Sequence, residues 1–362
     1  MATLSSTVVE SNGLPIHTVG LPGTRALTVL VAFHITARAE RAGEAADLLT
    51  DFVGRPRIDA EELDRERGVV VQEIARANDQ PSVMAEHLID RAAFGDHPLG
   101  RTVLGPADNL RAFTRDGIVA FRSRRWAPSR GGAFVVGNLS GLGDNGALDD
   151  LFGRFPSHPV PEPFEPAPPA EPRLLVRERD SSQSHLRMSY RPAVDISQPR
   201  QRAALAIYST LLGGSMGSRL FDEIREQRGL AYSVHSIAHA YADVPVLQLS
   251  AGLESAKCVE AYRRMRDIVT ELREQGPSKE EVDRARAYAA GARAIDFENS
   301  RSIARYAAQQ TIVYGEGVDP DAAITRLDEV TFEQVAEIAA SVPDTLSVAC
   351  VGPNTEEELA SA

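Results

Sequence analysis

The stretch DAEELDRERGVV, residues 59–70, returns as SKEEVDRARAYA at residues 278–289, an offset of 219. TRDGIVAF from Thr114 matches TFEQVAEI from Thr331 at an offset of 217. Each is followed by a short strand ending in Val-Gly, AFVVG at 133–137 and SVACVG at 347–352. A spacing this steady over tens of residues indicates duplication rather than chance. Each copy reads as α+β: an apolar strand of the LTVLVAF or SHLRMSY type, a helical block, then a closing helix and strand. The fold expected is therefore two duplicated α/β-sandwich half-domains, each a sheet with helices on one side.

The register breaks once. ALTVLVAF (26–33) best matches SHLRMSYR (184–191), where the offset is 158 instead of 219. The difference, 219 − 158, leaves the first half about 60 residues short, with the break near Phe33–His34. The corresponding stretch of the second half runs from Arg200 to Ser236 and reads as a helix-loop-helix block.

Between the halves lies PSHPVPEPFEPAPPAEPR, residues 156–173. Its prolines fit neither helices nor central strands, so it reads as a stiff, extended linker. The organisation expected is a first half over 1–155, the linker over 156–173 and a second half over 174–362.

Composition narrows the function. With 362 residues, 43% of them hydrophobic, the chain can bury two cores. A net charge of −12 speaks against nucleic acid, which calls for a basic surface. It is compatible with basic peptides, although most acidic proteins are simply soluble. The two cysteines, Cys258 and Cys350, lie far apart and form no CxxC, which suits two buried thiols in a reduced compartment. No signal peptide and no apolar run of membrane-spanning length is visible, so the expected location is the cytoplasm.

Two features could carry chemistry. Asp59-Ala60-Glu61-Glu62 reads as a capping box opening a helix. On that helix Glu66 and Glu73 stand two turns apart, on one face and about 10 Å from each other, which leaves a metal or acid–base pair open. The second feature is LLGGSMGSRLFDEIREQRGLAYSV, residues 211–234. Gly213 and Gly214 suit a tight helix exit with positive φ, and a substrate-binding turn is expected there. Arg225 lies before the Gly229 turn and Tyr232 after it, so a guanidinium fork and a phenol O–H can converge on one point. By residue type alone such a pair is more often structural. His235 and His239 are four apart in a predicted strand, where they could share a face.

Residues 211–234 resemble the second-half signature of the pitrilysin/insulinase metallopeptidase superfamily, particularly its mitochondrial-processing-peptidase branch. ERGVVVQEI resembles the helix bearing that family's third zinc ligand, and GDHPLGRTVLG (95–105) the loop that follows. The resemblance covers almost the whole chain apart from the missing block. It implies that Glu73 holds the third-ligand position, supported by Glu66. In active members an HxxEH motif supplies two histidines and a glutamate base. None of the eight histidines here begins that motif, His97 in the DHPLGR loop included.

The helix that should bear it falls in the missing block, which leaves Glu73 an orphaned ligand. No metal is expected in this chain, since zinc needs three protein ligands and an open water position. The resemblance further implies that Arg225 and Tyr232 donate hydrogen bonds to the substrate carbonyl and the oxyanion, in trans to a zinc site held by an HxxEH-bearing homologous subunit. The chain is thus expected to be the non-catalytic subunit of a heterodimeric zinc endopeptidase acting on unfolded or leader peptides. The alternatives are a structural or scaffold homologue that has lost peptidase function, and a deletion variant of an ordinary subunit.

Overall fold

The computed structural model describes residues 5–11, 14–20, 26–30, 34–125, 131–139, 166–241 and 244–362. Two five-stranded sheets organise it. In the first, β1 (Ser5–Ser11), β2 (Leu14–Gly20), β3 (Ala26–Leu30), β4 (His34–Arg38) and β5 (Ala133–Gly137) follow the order β1-β2-β5-β3-β4. In the second, β6 (Leu174–Glu178), β7 (Gln183–Tyr190), β8 (Ala231–Tyr241), β9 (Val244–Glu254) and β10 (Ser347–Gly352) follow the order β6-β10-β7-β9-β8. Pairing senses agree position by position. β2 with β5 and β6 with β10 are parallel, while β3 and β7 each pair antiparallel on both sides.

The helices repeat in the same order. After β4 come α1 (Ala42–Gly54), α2 (Ala60–Asp79), α3 (Pro81–Phe94), α4 (Ala107–Ala112) and α5 (Arg115–Arg125). The second half has α6 (Pro199–Ser209) between β7 and β8. After β9 it has α7 (Cys258–Gln275), α8 (Lys279–Asp296), α9 (Ser300–Ala308), α10 (Pro320–Asp328), α11 (Phe332–Ser341) and, past β10, α12 (Glu356–Ala360). Even the single 3₁₀ turn before α1, Ala39–Arg41, recurs as Ser255–Lys257 before α7.

The break in register has a structural counterpart. Three residues, 31–33, separate β3 from β4, whereas 53 residues, 191–243, separate β7 from β9. The first sheet thus has no equivalent of α6, of the turns that follow it, or of β8. Among the described strands, β4 is an edge where its counterpart β9 is paired with β8 over eleven residues of strand.

Each compact unit takes segments from both sides of the proline-rich stretch, within which the chain passes from one unit to the other at 164/165. One comprises residues 1–67, 112–164 and 292–325, the other 68–111, 165–291 and 326–362, with the chain changing unit inside α2 and again inside α8. In the second unit, α6, α7 and α11 cover one face of the sheet, burying Val348, Cys350, Leu249 and Ala251. The alternate residues Ala349, Val244 and Val246 face the other way and take Ile89, Ala92 and Phe94 of α3. In the first unit α9 packs on β3 and β5 through Ile303, Ala304 and Ala307 against Phe134 and Val136. Each sheet therefore has its opposite face covered by a helix drawn from the other half. Of residues 156–173, those from 166 on carry no helix or strand before β6, and 156–165 lie outside the described residues.

One local expectation is corrected. The capping box closes in the second copy, where Ser278 Oγ accepts from the Glu281 N–H (3.2 Å) and Glu281 Oε2 accepts from the Ser278 N–H (2.8 Å). In the first copy Asp59 takes Arg57 (2.8 Å) instead, and Glu62 pairs with Arg65. Adjacent arginines outcompete a backbone donor for these exposed carboxylates.

Candidate functional site

Residues 209–234 build the site. Past Ser209 the chain widens into a π-helical turn, Thr210–Gly214, and after a short link into a longer π-helix, Phe221–Gln227. Gly213 and Gly214 do not have the positive φ expected of a tight helix exit. Gly213 is needed for another reason. A Cβ there would lie 2.5 Å from the Ser236 amide nitrogen and 3.0 Å from the His235 carbonyl carbon, so only glycine lets β8 pass so close. Ser236 Oγ donates to Ser209 O (2.6 Å), tying the strand to the turn at the same place.

The π-helix is clamped at several points. Leu220 and Ile224 are fully buried. Arg219 makes a two-pronged ion pair with Glu281 on α8, Nε to Oε1 at 2.5 Å and Nη2 to Oε2 at 3.0 Å. Arg264 on α7 donates from Nε to Glu223 Oε2 (2.9 Å) and from Nη1 to Glu271 (2.6 Å). Gly229, at φ +56, closes the helix; its N–H donates to Arg225 O (3.1 Å) and the Leu230 N–H to Ile224 O (2.8 Å).

Arg225 sits in the last turn of this clamped helix with its guanidinium 4.8 Å from the centre of the Phe221 ring. Its side chain is 45% exposed, and its nearest carboxylate is Glu226, at 3.7 Å. No hydrogen bond uses its donors among the described residues. Tyr232 occupies a β-bulge: Ala231 pairs with Leu253 and Ser233 with Gly252, which leaves Tyr232 as the extra residue. A bulge re-aims a side chain. Here it lays the phenol over Gly252 with the residue 51% exposed, the hydroxyl donating one long bond to Gln183 Oε1 (3.4 Å). The two side chains are not hydrogen-bonded to each other; the Arg225 donors face solvent, and the Tyr232 hydroxyl is held only by its long bond to Gln183.

The sheet face around Tyr232 carries Arg187 and three histidines, and Glu86 acts on it. Arg187 on β7 is half-buried and makes one long bond to Ser82 O (3.4 Å). Burial pushes its pKa down, against the pull of Glu86 and Tyr232. His185 and His235 are held below the usual imidazole range, first by burial and then by Arg187. His239 shares the outward face of β8 with His235, as the strand period requires. Gln183, Arg187, Gly252 and the bulge were not singled out from sequence. The glycine inside the strand VPVLQLSAGLE was the available signal, since an interior strand glycine marks close approach of another group.

Glu66 and Glu73 lie on α2, a helix with no buried residue, and both are exposed. Among the described residues no three His, Cys, Asp or Glu side chains are placed to hold a metal ion. Glu73 therefore has, among the described residues, no pair of His, Cys, Asp or Glu side chains beside it to complete a zinc site.

The insulinase (peptidase family M16) model matches residues 29–107, and the peptidase M16 inactive-domain model matches residues 112–288. An uncharacterized zinc protease of Mycobacterium tuberculosis is 30% identical over 299 residues, which is 82% of this chain and 68% of that protein. The chain belongs to peptidase family M16. Another uncharacterized zinc protease of the family, from Streptomyces coelicolor, is 29% identical over 325 residues, 87% of this chain and 70% of its own length. The M16 fold is shared with a peptidase M16 inactive domain from Pseudomonas fluorescens (TM-score 0.87, 18% identity, 97% of this chain and 99% of that one). It is shared equally with a Helicobacter pylori protease (TM-score 0.86, 17% identity, 97% and 100%). No helix among the described residues is long and apolar enough to cross a membrane.

Proposed function

We propose that this M16 chain is the non-catalytic, substrate-binding subunit of a heterodimeric zinc endopeptidase. The observation that carries the reading is the state of Arg225 and Tyr232: a guanidinium with no hydrogen bond among the described residues and a phenol held by one long bond to Gln183, each part-exposed on a rigid support. Arg225 rides on a π-helix clamped by two arginine–glutamate pairs, and Tyr232 is re-aimed by a bulge. Rigid donors of this kind stabilise developing negative charge without reorganising during reaction.

The metal chemistry is assigned to the partner, an HxxEH-bearing homologue, because the sequence of this chain holds no HxxEH. Its own residues act on the peptide: Tyr232 O–H and the Arg225 fork donate to the scissile carbonyl as it gains charge. The substrates are unfolded or leader peptides. The test is cleavage of an unstructured peptide by a purified HxxEH-bearing M16 chain from the same source, with and without this one. Stimulation that Arg225→Ala and Tyr232→Phe each abolish supports the reading; no stimulation returns the chain to the scaffold class.

A further inference from the structure

The repeat allows each position of the first half to be compared with its counterpart, and one face differs. Leu48 on α1 is 63% exposed, and Phe113 and Phe121, before and on α5, are 49% and 53% exposed. Their counterparts by element alignment are Arg264 on α7, Val330, and Ile338 on α11. Val330 and Ile338 are buried at 2% and 4%. Arg264 faces the π-helix through its pair with Glu223, and Ile338 lines a groove with Gln201 and Ala204 of α6. So in the second half two of these positions, Arg264 and Ile338, meet the block 199–241, the block the first half does not have. In the first half Arg122 donates to Val53 O (2.9 Å) and Gly54 O (2.7 Å), so α5, which carries Phe121, adjoins α1, which carries Leu48. Among the described strands, β4 lacks the outer neighbour that β8 gives β9.

We propose that this face docks a segment of a partner protein built as the second half's own block is built: a helix lying on α1 and α5, followed by a strand pairing antiparallel to β4. The chemistry of that segment follows from the rim. Arg124 and Arg125 end α5 exposed, and neither makes an ion pair among the described residues. The partner helix therefore carries an apolar stripe flanked by Asp or Glu at the end that meets them. Where the second half sets Glu223 against Arg264, the first half offers Leu48, so the partner residue at that point is apolar. The inference does not depend on the chain assisting a peptidase.

The probe is a fluorescently labelled synthetic peptide of residues 199–241, used as such and with Glu223→Leu, titrated against the full-length chain. Saturable binding is expected, several-fold tighter for the Glu223→Leu peptide. It should weaken about ten-fold with Leu48→Glu or Phe121→Glu in the protein, and less with Arg124→Glu. Ile312→Glu, at an exposed apolar site elsewhere, should leave it unchanged, and β4 amides should gain protection from hydrogen exchange on binding. Absence of binding by both peptides, or binding indifferent to Leu48 and Phe121, overturns the proposal. So does a self-dimer that Leu48→Glu dissolves, because the occupant would then be a second copy.

Discussion

The phenol of Tyr232 occupies the space that a side chain at Gly252 would need: an added Cβ would stand 2.5 Å from its hydroxyl oxygen and 2.6 Å from Cζ. The obstructing atoms are side-chain ends, the Tyr232 phenol and the Ser233 hydroxyl (2.9 Å), so Gly252→Ala should swing them aside rather than unfold β9. We expect a melting temperature close to wild type together with a loss of peptide-cleavage stimulation comparable to Tyr232→Phe. Thermal melts and the mixed-subunit assay, run on one preparation, check both halves of the prediction.

At Gly213 the obstruction is backbone, the Ser236 nitrogen at 2.5 Å, and nothing there can yield without moving β8. Gly213→Ala should destabilise by about 1–3 kcal/mol, the usual cost of overpacking. Urea denaturation should show a lower midpoint with an unchanged slope. Gly214→Ala, whose Cβ would meet nothing closer than 3.4 Å, should be mild.

Glu281 holds Arg219 and so the base of the π-helix. Burial alone would raise its pKa, but the bonds from Arg219 and from the Ser278 amide and hydroxyl outweigh it and hold the carboxyl at about 2. A depressed folded-state pKa adds stability that is present above the ordinary value of 4.5 and lost as pH falls from there through about 2. Glu281→Gln should cost about 1.5–3 kcal/mol at neutral pH, the range for hydrogen bonds to charged groups, and should flatten the acid limb of the stability profile.

Asp90 on α3 behaves in the opposite sense. Burial raises its pKa to about 6, with the bond from Gln248 Nε2 (3.2 Å) opposing and Glu86 adding to the rise. The folded protein then binds a proton that the unfolded chain has released, so stability should decline as pH climbs from the ordinary 3.8 to about 6. Asp90→Asn should remove that slope and stabilise the protein at pH 7 by on the order of 2 kcal/mol. Chemical denaturation at pH 4, 6 and 7 measures it.

Cys258 and Cys350 bring their sulfurs to 3.9 Å, and both residues are fully buried. The Cys258 thiol and burial together push the Cys350 thiol up. Neither should react with a thiol reagent in the folded protein, and labelling should follow the global unfolding curve.

Much of the fold was legible because duplication writes the same pattern twice. The closing strands at 133–137 and 347–352 are strands to the residue, or within one residue of it, and the break near Phe33–His34 falls between β3 and β4. The exchange of α3 and α9 between sheets was not legible, since a buried helix face carries no label for the sheet it meets. The π-helical geometry at 210–214 and 221–227 was missed for a related reason. π and α turns share the same composition, and the wider turn is set by what packs on it, here β8 against Gly213 and Glu281 against Arg219. The proposed site residues Arg225 and Tyr232 stood out through the resemblance carried by residues 211–234, because spacing alone allows the pair to converge but reads it as more often structural. The bulge that aims Tyr232 was not legible, because it depends on pairing with β9.

The central claim is that this chain lends Arg225 and Tyr232 to a peptide held at a partner's metal site. The most direct measurement is the rate of peptide cleavage by a fixed amount of an HxxEH-bearing M16 subunit as this chain is titrated in, wild type against Arg225→Ala and Tyr232→Phe. The account predicts saturable stimulation by the wild type and a loss of about 10²–10³-fold in the stimulated rate for each variant, at unchanged affinity between the subunits. Equal stimulation by wild type and both variants would contradict it.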